Sequence, residues 1–100
     1  AWSNDDSFDN IFTRQLEGLA QSDDILIALS TSGNSKNIIN AAKYCNDNNI
    51  RIISLTGFDG GRLKNLSDIN INIATNSTQR VQEMHILVGH ILCDIVEHSF

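Results

Sequence analysis

Apolar positions follow two different periods along the chain. Ile25-Leu26-Ile27-Ala28-Leu29 is an unbroken apolar run ending in polar residues, the pattern of a strand covered on both faces of a parallel sheet. Before it, Ile11, Leu16 and Leu19 supply part of an apolar stripe. That stripe predicts a helix over Asn10 to Ala20, with Asp9 as its cap. After it, Ile38, Ile39, Ala42 and Cys45 share one side of a helix from about Asn34 to Asn46, and Asn46-Asp47-Asn48-Asn49 stops it by turn chemistry. Ile50 to Leu55 predicts a second strand, and Thr56 to Gly61 a glycine-bearing loop. A short helical turn around Arg62 to Leu66 and a third strand at Ile69 to Ile73 follow. From Thr78 to about Glu97, Val81, Met84, Val88, Ile91, Leu92 and Ile95 recur at three- and four-residue steps, an amphipathic helix.

Strands alternating with helices predict an α/β fold with a parallel sheet and right-handed crossovers. Three strands make a thin sheet, because a parallel sheet needs both faces covered. The chain has 100 residues, enough for one domain, and 41% of them are apolar, which excludes disorder. The five-residue apolar run is far too short to cross a membrane. A net charge of −5 without a basic cluster argues against direct nucleic-acid binding. Cys45 and Cys93 show no metal or redox spacing, and the expectation is two buried free thiols in a cytoplasmic protein. The 12 asparagines are expected mostly at turns and caps.

Candidate chemistry sits where strands end. Ligands of open parallel sheets bind at the carboxyl ends of the strands. The first strand runs into Ser30-Thr31-Ser32-Gly33-Asn34-Ser35 directly before a helix. Five of these six side chains can donate hydrogen bonds, and the helix start presents amides and the positive end of its dipole. Phosphate binding and an ordinary serine-rich cap both fit this segment. It carries neither a Walker lysine nor a GxGxxG pattern, so no nucleotide cofactor is expected. Thr56-Gly57-Phe58-Asp59-Gly60-Gly61 closes the second strand on the same edge, as a second site wall or as a tight turn alone. Arg62 and Lys64 follow it and are expected in solvent. On the last helix, Gln82, Glu83 and His90 face away from the stripe centred on Val88 at 100° per residue. His85 lies nearer that stripe as a packing residue, and His98 is expected exposed. Imidazole titrates near neutral pH, which suits proton transfer in aldose–ketose isomerisation through an enediol.

Three segments in order carry a resemblance: Ser30-Thr31-Ser32-Gly33-Asn34-Ser35, Leu55-Thr56-Gly57-Phe58-Asp59-Gly60-Gly61, and Arg80-Val81-Gln82-Glu83-Met84-His85. With Trp2-Ser3-Asn4-Asp5 at the start, they resemble the sugar isomerase (SIS) domain, and within it the phosphoheptose isomerase family. The resemblance runs over essentially all 100 residues. It implies a flavodoxin- or Rossmann-like αβα sandwich. It implies conversion of sedoheptulose 7-phosphate to D-glycero-D-manno-heptose 7-phosphate for lipopolysaccharide heptose synthesis. Ser30, Thr31, Ser32 and Ser35 would hold the substrate phosphate, and Asn4, Asp5 and Gln82 would line the sugar site. His90 would be the acid–base residue. Zinc held by Gln82 and His90 is a further implication, as are a homotetramer and a cytoplasmic location.

The same resemblance implies that residues 1–100 are the C-terminal portion of a single SIS domain. The family's N-terminal part, with its second catalytic group, would then be absent, and this portion alone would be inactive. Its first strand would expose an apolar edge or face. The zinc implication meets a geometric objection, because eight helical residues separate Gln82 from His90 by about 12 Å. A helix that starts after Gln82, or a site shared by two subunits, would be needed. The DnaA initiator-associating proteins resemble the chain at the Trp-Ser-Asn-Asp and Gln-Glu-Met-His stretches and form the alternative: a tetrameric, non-catalytic partner of DnaA. That branch typically lacks histidine at the position of His90. A sugar-sensing SIS domain of a transcription factor is a third reading, with no DNA-binding segment here to support it.

Overall fold

The computed structural model describes residues 9–99. Three strands, β1 (Ile25–Ser30), β2 (Arg51–Gly57) and β3 (Ile69–Ile73), form one sheet in that order. Both pairings are parallel, with Ile25 opposite Arg51 and Ile53 opposite Ile69. Four helices intervene or flank: α1 (Ile11–Leu19), α2 (Lys36–Asp47), α3 (Gly61–Leu66) and α4 (Thr78–Ser99). The α/β class and the element order expected from the hydrophobic periods are those of the structure. Boundaries move by one to two residues.

The helix ends show why. Asp9 is not the cap of α1; Asn10 occupies that position and makes no side-chain cap bond. Asp9 instead pairs with Lys36 at 3.3 Å, and its carbonyl accepts from Asn40 Nδ2 at 3.1 Å, so it ties α1 to α2. The asparagine run does end α2 as turn chemistry requires. Asn49 is left-handed at φ 59°, and the Ile50 amide donates back to the Cys45 carbonyl at 3.0 Å, a Schellman closure.

Side chains alternate across a strand, and partners in a parallel pair share a face. Leu26, Ala28, Ile52 and the polar Ser30, Ser54, Thr56, Asn70 and Asn72 therefore point one way. Beneath them α2 and α3 close the core of Ala28, Ile39, Ala42, Cys45, Ile50, Ile52 and Leu63. The other face carries Ile25, Ile27, Leu29, Ile53, Leu55 and the isoleucines of β3. There, Val81 and His85 are the buried residues of α4.

This second face departs from expectation. The unbroken run in β1 predicts cover on both faces, yet Ile25, Ile27 and Leu29 are each about half exposed or more, as is Ile69. On α4 the predicted stripe exists, but Met84, Ile91 and Ile95 are exposed along with Ile86, Leu87 and Val96. The expectation of an exposed apolar face on β1 therefore holds. Burying one such side chain yields about 1.5–3 kcal/mol, so this face retains a large driving force for association. Cys93 is exposed rather than buried, on the part of α4 where Ile91, Ile95 and Val96 are exposed too.

Candidate functional site

The carboxyl edge of the sheet gathers three segments: the serine loop after β1, the glycine loop after β2, and the start of α4. Ser30 is buried and its hydroxyl lies 3.0 Å from that of Ser35. The Gly33 amide donates to Ser30 Oγ at 3.1 Å, and the Asn34 amide donates to Ser32 Oγ at 3.1 Å. Ser30 thus builds the loop from within, while Ser32 and Ser35 are exposed and Thr31 is half-buried. Of the four residues expected to hold phosphate, Ser30 is buried in the turn, Thr31 is half-buried, and Ser32 and Ser35 are exposed with hydroxyls that also bond within the loop.

The two loops lock together through backbone. The Gly57 amide donates to the Thr31 carbonyl, and the Leu63 amide to the Gly33 carbonyl, both at 2.9 Å. Asn34 Oδ1 accepts from the Arg62 amide at 2.9 Å. Gly33 is left-handed at φ 71°, and a Cβ there would run into the carbonyl of Gly60. Only glycine permits both the turn and the approach. A Cβ on Gly57 would meet both γ-carbons of Val81 at 2.7 Å, so this glycine lets α4 seat on the end of β2. The first turn of α2 leaves amides without intrahelical partners next to this loop, and its dipole favours an anion there. Arg62 and Lys64 are exposed, as expected.

His85 is the buried histidine of this edge, 4% exposed, with Nε2 at 2.8 Å from the Thr56 carbonyl. A carbonyl can only accept, so Nε2 carries the proton. The packing role expected for His85 is its observed one. His98, by contrast, lies in solvent with Nδ1 at 2.8 Å from the Asp94 carbonyl.

Gln82 and His90 are both exposed on an unbroken α4. His90 lies nine residues beyond Val81, about 14 Å along the axis. No hydrogen bond joins His90 to the serine loop among the described residues. Because the helix begins at Thr78, Gln82 is fully inside it, and the separation of about 12 Å from His90 stands. One zinc ion cannot take both as ligands from a single chain at about 2 Å each. Among the described residues no three His, Cys, Asp or Glu side chains cluster as a metal site. Asn4 and Asp5 lie outside the described residues. An apolar hollow opens along the free edge of β1 instead, lined by Phe12, Leu16, Leu19, Ile25, Ile27 and Ile38 among others, with no acid–base pair in it.

One feature of the site has no counterpart in the sequence reading. Asn70 and Asn72 of β3 are not turn residues but bridge into β2. Asn70 Nδ2 donates to Ser54 Oγ at 2.8 Å and to Thr56 Oγ1 at 3.0 Å. Thr56 Oγ1 donates to Asn72 Oδ1 at 2.8 Å, and Asn72 Nδ2 donates to the Phe58 carbonyl at 3.0 Å. Ser67 extends the ladder, with its hydroxyl 2.6 Å from both Ser54 Oγ and the Leu63 carbonyl. The strict alternation Ile69-Asn70-Ile71-Asn72-Ile73 was the available signal.

This edge, with a serine loop and a glycine loop pinned at the carboxyl ends of adjacent parallel strands, defines a SIS domain, and the SIS domain profile matches residues 10–88. The chain belongs to the SIS-domain family. Among its relatives, phosphoheptose isomerase of Sulfurimonas denitrificans is 50% identical over 97 residues, covering 97% of this chain and 50% of the relative. That of Aliarcobacter butzleri is 49% identical over 99 residues, covering 99% and 52%. The solved structure of phosphoheptose isomerase from Neisseria gonorrhoeae superposes with a TM-score of 0.88 at 40% identity, over 93% of this chain and 53% of that one. The chain spans about half the length of the curated relatives it matches.

Proposed function

We propose that the protein is a phosphoheptose isomerase, converting sedoheptulose 7-phosphate to D-glycero-D-manno-heptose 7-phosphate in lipopolysaccharide heptose synthesis. The observation that carries this reading is the serine loop, fixed by backbone hydrogen bonds at the carboxyl edge, in a chain about half identical along its length to phosphoheptose isomerases. Thr31, Ser32 and Ser35 bind the phosphate with their hydroxyls, aided by the positive end of the α2 dipole. Net charge −5 does not oppose this, because loop dipoles rather than overall charge hold the anion.

In this reading His90 moves the proton between C1 and C2 through an enediol. His90 lies about 14 Å along the helix from Val81, which favours service to the loop of a neighbouring subunit. A homotetramer, supported by the exposed apolar residues of β1 and α4, would supply the pairing. Gln82 and His90 could contribute to zinc only as single ligands alongside donors from elsewhere, and no step depends on it. Asn4 and Asp5 would line the sugar, and the location would be the cytoplasm.

The test is conversion of sedoheptulose 7-phosphate by the full natural protein, with and without added zinc. Turnover that disappears in His90→Ala supports the reading. An absence of turnover under every metal condition, with binding of purified DnaA, replaces it with the initiator-associating alternative.

A further inference from the structure

We propose that Asn72 is a positioning residue for the phosphate-binding loop, acting through the carbonyl of Phe58. The inference rests on the proposed role of the serine loop for its functional consequence, but its geometry stands apart from that role.

Phe58 has a left-handed backbone at φ 54°, uncommon for a bulky residue and held only where neighbours over-determine it. The neighbour that does so is Asn72, whose Nδ2 donates to the Phe58 carbonyl at 3.0 Å. Asn72 is itself oriented, because its Oδ1 accepts the hydroxyl of Thr56 at 2.8 Å. Thr56 is fully buried, so the ladder fixes which end of the Asn72 amide faces the loop.

From Phe58 the constraint passes along short, direct contacts. The Gly60 amide donates to the Gly57 carbonyl at 2.9 Å, and the Gly61 amide to Asp59 Oδ1 at 2.9 Å. The turn places the Gly60 carbonyl where a Cβ of Gly33 would stand. Gly33 in turn sits between Ser32 and Asn34. The bonds from Gly57 to Thr31 and from Leu63 to Gly33 close the assembly. Displacing the Phe58 carbonyl therefore displaces the backbone against which the serine loop is formed.

Asn70 provides the internal control. It belongs to the same ladder and contacts Ser54 and Thr56, but has no bond to the glycine loop. A ladder that merely stabilises the sheet makes the two asparagines equivalent; a positioning role makes them different.

The experiment compares Asn72→Ala, Asn72→Asp and Asn70→Ala in the full natural protein. Asn72→Asp keeps the side-chain shape and the acceptor for Thr56 while removing the donor to Phe58. It also guards against loss of folding in the alanine variant. The readouts are KM and kcat for sedoheptulose 7-phosphate and amide hydrogen exchange at Gly33, Gly57, Arg62 and Leu63. The expected result is a KM raised about tenfold by either Asn72 variant, the scale of one lost hydrogen bond, with kcat changed less than about twofold. Exchange at the four amides accelerates in parallel, and Asn70→Ala, which keeps the Asn72 donor to Phe58, changes both readouts less. Phe58→Gly added to Asn72→Ala returns KM toward the parent value, because glycine adopts the left-handed turn unaided. Unchanged exchange in the Asn72 variants, or equal effects from Asn70→Ala, overturns the proposal. If the parent protein shows no turnover, the isomerase reading fails while the exchange comparison still decides the role of Asn72.

Discussion

His85 Nε2 donates its proton to the carbonyl of Thr56 at 2.8 Å, joining the start of α4 to the last turn of β2 inside the buried edge. The bond ties the helix that carries His90 to the strand whose end walls the serine loop. It also fixes the tautomer, since only a protonated Nε2 can serve a carbonyl.

Replacing His85 with Phe keeps most of the volume and strands the Thr56 carbonyl. A buried acceptor left without its partner costs about 1–3 kcal/mol. Urea unfolding of His85→Phe against the parent protein measures this.

Gly33→Ala imposes two penalties at once: a side chain at φ 71° and a collision with the Gly60 carbonyl. The first alone destabilises by about 1 kcal/mol or more. Phosphate affinity falls with it, since the collision separates the two loops. Chemical denaturation, together with calorimetric titration of sedoheptulose 7-phosphate, reads both effects. Gly18→Ala is the control, because a Cβ there meets nothing within 4 Å.

The two thiols differ in environment and will differ in reactivity. Burial pushes the Cys45 thiol above the ordinary value of 9.0, whereas Cys93 is exposed on α4. Below pH 9 both states keep the Cys45 proton and stability is unaffected. As pH rises past 9.0 the unfolded chain loses that proton first, so stability declines from there upward. Iodoacetamide labelling at neutral pH is expected to modify Cys93 in the native protein and Cys45 only on unfolding. Unfolding followed at pH 8 to 10 reads the decline.

The fold was legible because its signals are local. The β1 run, the asparagine stop after α2 and the stripe of α4 each report a period or a turn. What was not legible depends on the neighbour of a residue. Cys93 looks like a packing residue from its helix, but it is exposed. Asp9 has the chemistry of a cap, and the approach of Lys36 draws it elsewhere. Asn70 and Asn72 match turn composition, and only the register of β3 against Ser54 and Thr56 reveals a ladder. At the site, the serine loop could be located from sequence, yet its division into the buried Ser30, the half-buried Thr31 and the exposed Ser32 and Ser35 required the turn geometry. The distance between that loop and His90 follows from where Val81 meets Gly57, a contact no spacing rule contains.

Proton transfer by His90 is most directly measured by running the conversion of sedoheptulose 7-phosphate in D₂O, with the full natural protein and with His90→Ala, and following the product by NMR. The expected product is heptose 7-phosphate, with deuterium at C2 in proportion to exchange of the abstracted proton with solvent. The account also predicts a rate about 10²–10⁴-fold lower for His90→Ala, with unfolding within about 0.5 kcal/mol of the parent because His90 is exposed. No product, or an unimpaired His90→Ala, contradicts it.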